Sequence, residues 1–159
     1  MSNQTTQKIA VFPGSFDPVT KGHEAIVKRA LPLFDKVIIA IGNNTEKKKY
    51  FTLEQRKLYL EKTFAHLPKT EIAVFEGLTV NFCKSVGANF ILRGLRSVSD
   101  FEFEKNIAQI NRSLKEEIET VFLLTDPEYI AFTSTIVRDI HKYGGNVKLL
   151  VPDAIGDYF

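Results

Sequence analysis

The 159-residue chain has a single cysteine, Cys83, so an internal disulfide is impossible and a reducing, cytoplasmic setting fits. It also lacks any apolar run approaching the roughly 20 residues that a membrane helix needs. Met1 to Gln7 are polar and uncharged, unlike a secretion signal, and read as a loose tail. Charge of one sign is scarce as well: a formal charge of +2 and a pI near 8.6 point to a small phosphate compound as the anionic partner, not a nucleic acid backbone. There is no Walker A or GxGxxG pattern, which removes the main support for P-loop and dinucleotide readings. No His, Cys or carboxylate spacing suits a zinc site. Internal repeats, low-complexity segments and linkers rich in Pro, Gly or Ser are missing too, so at 44% hydrophobic the chain is expected to form one domain over residues 1–159.

What is present is alternation. Apolar, β-rich runs recur at Ile9 to Phe12, Val37 to Ile41, Ile72 to Phe75, Phe90 to Leu92 and Val121 to Leu124, each followed by a helical stretch. Five alternations of strand and helix predict an α/β fold, a doubly wound parallel sheet with helices on both faces. Thr52 with Gln55, and Ser99 with Glu102, form capping-box patterns; Gly87 and Gly144-Gly145 mark helix ends. Pro32 should kink or shorten the first helix.

In such a sheet, ligands bind beyond the carboxyl ends of the strands, where the winding reverses. The residues expected there are Gly14, Ser15 and His23; Asn43 to Lys49; Gly77 to Thr79; Arg93-Gly94-Leu95-Arg96; and Asp126 to Thr135. The central stretch is Ile9 to Glu24, a strand turning through Pro13, Gly14 and Pro18 into a helix opened by Gly22-His23. A helix start leaves unpaired N–H groups on which an anion can settle.

Other candidates stand beside ordinary alternatives. Lys47-Lys48-Lys49 in isolation is a solvated run, but it sits on a strand-end loop from which a lysine can reach phosphate. Arg93 and Arg96 flank a glycine and can grip phosphate oxygens. Asp100 and Glu102 read as helix-dipole complements, with Glu104 a modest candidate for a ribose hydroxyl. Thr133-Ser134-Thr135 exceed what one helix cap requires. His66 and His141 read as surface residues.

Gly14-Ser15-Phe16-Asp17-Pro18 followed by Thr20-Lys21-Gly22-His23 resembles the (H/T)xGH signature of the nucleotidyltransferase superfamily. With the Lys47 loop, Phe51-Thr52-Leu53-Glu54, the RGLR run, Asp100-Phe101-Glu102 and the hydroxyls near Thr133, the chain is similar to bacterial phosphopantetheine adenylyltransferases from about Lys8 to about Val151. That resemblance implies a five-stranded Rossmann-like domain, a hexamer built from trimers, and conversion of ATP and 4′-phosphopantetheine into dephospho-coenzyme A and pyrophosphate, with Mg²⁺ arriving on ATP.

It also implies site roles. Ser15, Phe16 and His23 would meet the nucleotide phosphates; Gly94, Leu95, Arg96, Glu104 and Tyr129, Ile130, Ala131, Phe132, Thr133, Ser134 and Thr135 would bind ATP. Lys47, Arg93, Thr79 and Ser15 would hold the pantetheine substrate, and His23, Lys47 and Arg96 would carry catalysis. The chain departs from the family pattern in Ser15 for threonine, Phe103 for tyrosine, and Phe132-Thr133-Ser134-Thr135 for an ISSS-like run. Alternatives of the same fold are a glycerol-phosphate cytidylyltransferase or a nicotinamide mononucleotide adenylyltransferase; one of another class is a non-catalytic nucleotide-binding module. The implied chemistry needs no side-chain nucleophile, because an ionised phosphate monoester attacks and the protein supplies alignment and charge.

Overall fold

The computed structural model describes residues 6–159; of the expected tail, residues 1–5 lie outside it, and Thr6 and Gln7 are exposed without regular structure. In chain order the elements are β1 (Ile9–Gly14), α1 (Lys21–Ala30), β2 (Lys36–Gly42), α2 (Leu53–Phe64), β3 (Thr70–Phe75), α3 (Thr79–Ser85), β4 (Phe90–Leu95), α4 (Val98–Leu114), β5 (Glu119–Leu124) and α5 (Ser134–Lys142). All strand pairs are parallel and the order is β3-β2-β1-β4-β5. The winding therefore reverses between β1 and β4, where a doubly wound sheet opens its ligand crevice.

Alternation along β1 divides the core. Ala10 and Phe12 face a layer containing Ile26 and Val27 of α1, Leu60 of α2 and Val137 of α5. Val11 faces the opposite layer with Val80 and Cys83 of α3. Both layers are built of buried apolar side chains, which is what strands covered on two faces require.

Local signals set the helix ends. Thr52 and Gln55 form the expected reciprocal cap on α2. Pro32 does shorten the first helix, since α1 stops at Ala30 and a 3-10 turn, Leu31–Leu33, follows with the proline near its start. The expected cap at Ser99 is displaced: Ser97 caps α4 by accepting from the Asp100 N–H, so the helix begins two residues earlier.

Pairing of β1 with β2 runs from Ile9↔Lys36 to Gly14↔Ile41, whereas β1 meets β4 only at Ala10↔Phe90 and Val11↔Ile91. Pro13 has no N–H to extend that ladder. In its place, the Arg93 guanidinium of β4 donates to the Pro13 carbonyl at 2.5 Å. A crevice opens above this joint.

Candidate active site

The crevice holds two adjoining hollows. One, of about 370 Å³, is bordered by the loop after β1, the start of α1, the end of β4 and the start of α5. The other, of about 270 Å³, runs between β1, β4 and α4 and reaches Phe75 and Thr79. They share Ser15, Arg93 and Glu104 as a common wall.

His23 stands at the third position of α1, half-buried against the edge of the Phe16 ring. Thr20 precedes the helix and the two residues cap each other: the Thr20 N–H donates to His23 Nδ1 at 3.0 Å, and the His23 N–H donates to Thr20 Oγ1 at 3.4 Å. Burial first, then the positive charges of Arg93 and Arg96, lower the imidazole pKa to about 4. The ring is therefore neutral at pH 7. With Nδ1 accepting a backbone proton, its own proton sits on Nε2, which is a hydrogen-bond donor for an anion in the cleft.

Two arginines converge with it. Arg93 makes a forked pair with Glu104, Nε to Oε2 at 3.0 Å and Nη2 to Oε1 at 2.6 Å. Arg96 is steadied by Asp100, whose Oδ2 accepts from the Arg96 backbone N–H at 3.0 Å and from its Nε at 3.1 Å. Gly94 lies between them. A Cβ there would stand 3.2 Å from Ile26 Cγ1, so a side chain would press α1, and His23 with it, away from β4.

The far wall comes from α5. Thr133 caps that helix by accepting from the Ile136 N–H, and Ser134 Oγ donates to the Pro18 carbonyl at 2.7 Å. Thr135 accepts from Arg138 Nη2 at 3.2 Å. Of the three hydroxyls, two are thus committed to structure and Thr135 to a neighbouring cation.

A family model described as cytidylyltransferase-like matches residues 11–140. The chain is 56% identical over 146 residues to a phosphopantetheine adenylyltransferase of Flavobacterium johnsoniae, covering 92% of this chain and 95% of that one. It is 52% identical over 145 residues to one of Cytophaga hutchinsonii, covering 91% and 97%. The chain belongs to the phosphopantetheine adenylyltransferase family. Among solved structures, a bifunctional NMN adenylyltransferase/ADP ribose pyrophosphatase from Francisella tularensis, complexed with AMP and a manganese ion, superposes with a TM-score of 0.66. At 23% identity over 91% of this chain and 44% of that one, it shares the fold.

In this member of the phosphopantetheine adenylyltransferase family, the first hollow gathers Ser15, Phe16, His23, Arg93, Gly94, Arg96, Glu104, Tyr129, Phe132, Thr133, Ser134 and Thr135. Thr79, first residue of α3, lines the second. Leu95 is buried and, like Ile130 and Ala131, lines neither hollow; Ile130 is exposed. Arg93, Gly94 and Leu95 do not follow the fourth strand but end it, because β4 stays in register with β5 as far as Leu95↔Leu124. Lys47 is exposed and borders neither hollow; the lysine that reaches the site is Lys49, with Nζ 3.3 Å from Ser15 Oγ. Both oxygens of Glu104 are taken by Arg93, so its geometry is that of a partner for a cation.

Sequence reasoning gives no role of their own to Thr20 and Asp17, which stand inside the signature, or to Arg138. Thr20 was legible, since a hydroxyl residue directly before a helix is a cap. His141 is not a surface residue as expected: it is half-buried, packs on Phe51 and Phe159, and its Nδ1 lies 2.8 Å from the Tyr50 hydroxyl.

Proposed function

We propose that this chain transfers the adenylyl group of ATP to 4′-phosphopantetheine, giving dephospho-coenzyme A and pyrophosphate. The observation that carries the reading is the wall shared by the two hollows. The polar hollow, with the Nε2–H of His23 and the Arg96 guanidinium, suits a nucleotide triphosphate. The second has apolar walls at Phe75, Ile91 and Ile107 and isolated polar groups at Thr79 and Asn111, which suits an extended arm carrying amides. The reacting phosphates then meet at Ser15 and Arg93. Family membership at 56% and 52% identity supports the same choice of reaction.

The step needs no proton removal. An oxygen of the acceptor phosphate, ionised at neutral pH, forms a bond to the α-phosphorus of ATP; the α–β bridging bond breaks, and pyrophosphate leaves with the electron pair. His23 donates from Nε2 and Arg96 adds positive charge as the phosphoryl oxygens crowd. Both are positioned in advance by Thr20 and Asp100, so little reorganisation is required. Lys49 and the neighbouring Lys47 would steer the incoming phosphate, and Arg93 would orient it. Asp17, Asp100 and Glu104, the carboxylates of the cleft, are engaged by N–H groups or guanidiniums. They do not form a metal cage. Mg²⁺ would come with ATP on phosphate oxygens and water, where it supplies charge neutralisation.

Other features of the reading follow the family. Val98, Phe103 and Ile110 on α4 are 79%, 66% and 62% exposed, apolar surface that supports an interface between copies of this chain, and a homohexamer of two trimers is the assembly the family resemblance implies. No helix of the described residues is long and apolar enough to cross a membrane, and the one thiol, Cys83, is buried; both accord with a cytoplasmic enzyme.

The test is pyrophosphate release with ATP or CTP against 4′-phosphopantetheine, glycerol 3-phosphate and nicotinamide mononucleotide. Turnover with ATP and 4′-phosphopantetheine alone is expected. Preference for another pair would assign a different transferase, and nucleotide binding without pyrophosphate release would make the protein a binding module.

A further inference from the structure

The loop from Pro13 to Pro18 is held in an uncommon way. Phe16 has φ of +47°, a left-handed conformation that costs a bulky L-residue energy and persists only where its surroundings enforce it. Three guanidiniums from three different elements grip alternate carbonyls of this loop. Arg93 of β4 donates to Pro13 O, Arg56 of α2 to Ser15 O at 2.8 Å, and Arg138 of α5 to Asp17 O at 2.8 Å.

Arg56 is the unusual member. Arg93 and Arg138 border the nucleotide hollow, whereas Arg56 lies behind the loop, 3% exposed, and borders neither hollow. Its Nε is buried and has no hydrogen-bond partner among the described residues. A buried cation with an orphaned donor is a poor way to stabilise a core, because apolar side chains of similar size commonly do as well or better. Its value must lie in what it holds.

It holds the Ser15 carbonyl toward the protein interior. Across a planar trans peptide, the following N–H points the opposite way, so the Phe16 N–H is turned outward, toward the cleft that Phe16 lines. That N–H has no acceptor among the described residues. A left-handed residue in a turn is the kind of geometry by which backbone N–H groups cup anions. We infer that Arg56 is a positioning residue for adenylyl transfer: by retaining the Ser15 carbonyl it aims the Phe16 N–H at the nucleotide phosphates. The inference rests on the adenylyl-transfer reading for its kinetics, though not for its second readout.

The test compares wild type with Arg56→Met, which keeps volume and removes the donor, and Arg56→Lys, which keeps charge and loses the fork. Two quantities are read: steady-state kcat and KM with ATP and 4′-phosphopantetheine, and the backbone ¹⁵N–¹H shift of Phe16 on adding ATP alone. The expected result is a fall in kcat of about 100-fold in Arg56→Met, the loss typical of one misplaced preorganised donor, with KM for ATP changed less than about threefold. The Phe16 amide should shift with ATP in wild type and respond much less in Arg56→Met, while the melting temperature stays within a few degrees. Arg56→Lys should recover part of the rate.

Unchanged kcat in a folded Arg56→Met protein, or a Phe16 amide that responds to ATP equally in both, overturns the inference. If Arg56→Met does not fold, Arg56→Lys is read in the same way, and wild-type rate with an unaltered Phe16 response there overturns it too. Should wild type itself release no pyrophosphate, the reaction assignment fails, and the amide shift still judges Arg56.

Discussion

Arg93 and Glu104 face each other across the wall common to both hollows, joined by two parallel hydrogen bonds of 3.0 and 2.6 Å. Their side chains are 30% and 11% exposed, so each partner keeps the other charge from being stranded in a half-dry site. Glu104→Gln should lower stability by about 1–2 kcal/mol in chemical denaturation, a figure reduced from the buried-pair range because Arg93 is partly solvated. It should also slow turnover, since the freed guanidinium no longer presents a fixed face to the acceptor phosphate. A Glu104→Gln enzyme matching wild type in both would remove Glu104 from the machinery.

The tautomer of His23 can be read directly. Long-range ¹⁵N–¹H correlation of the imidazole should show the proton on Nε2 at pH 7, with titration near pH 4. Removing the Arg96 charge in Arg96→Ala should raise that pKa, by less than burial lowers it, because burial is the larger cause. A ring titrating near 6.5 would contradict the geometry.

The same shift links stability to pH. His23 is depressed when folded and ordinary when unfolded, so the unfolded chain takes up a proton first as pH falls. Its stabilising contribution is complete well above pH 6.5 and is lost as pH drops toward 4, by about 2 kcal/mol at pH 5. His23→Gln should flatten that part of the stability profile relative to wild type.

His23→Ala should reduce kcat by about 10²–10³-fold, the range for removal of one preorganised donor, with KM for ATP little changed. Thr20→Val isolates the support from the donor. It removes the cap hydroxyl, for about 1 kcal/mol of stability, yet leaves the backbone N–H that fixes Nδ1, so its rate should stay far closer to wild type.

Lys49→Met should raise KM for 4′-phosphopantetheine by about tenfold, the loss of one steering charge close to the shared wall, and leave KM for ATP nearly unaltered. An equal rise for both substrates would place Lys49 with the nucleotide.

These contrasts show which features a linear chain discloses. The five strands were legible because apolar runs recur with helical stretches between them, and Thr52 was legible as a cap because its partner is three residues away. Arg56, Arg138 and Asp17 were not. Their contacts to Ser15 O, Asp17 O and the Tyr50 and Phe51 N–H groups span 41, 121, 33 and 34 residues, and no local period marks a side chain that binds a distant backbone. Thr20 is legible as a cap, whereas His23 as its reciprocal partner is hidden, because the third position normally carries Glu or Gln. The choice between Lys47 and Lys49 depends on the path of an exposed loop, which neither periodicity nor propensity specifies.

Only two residue pairs stitch β1 to β4, and past them the seam is closed by the Arg93 guanidinium. A backbone ladder would weld the mouth at a single width. A side chain takes the ladder's place, so the joint at the mouth rests on one residue of β4, and that residue is itself anchored by the carboxylate on α4.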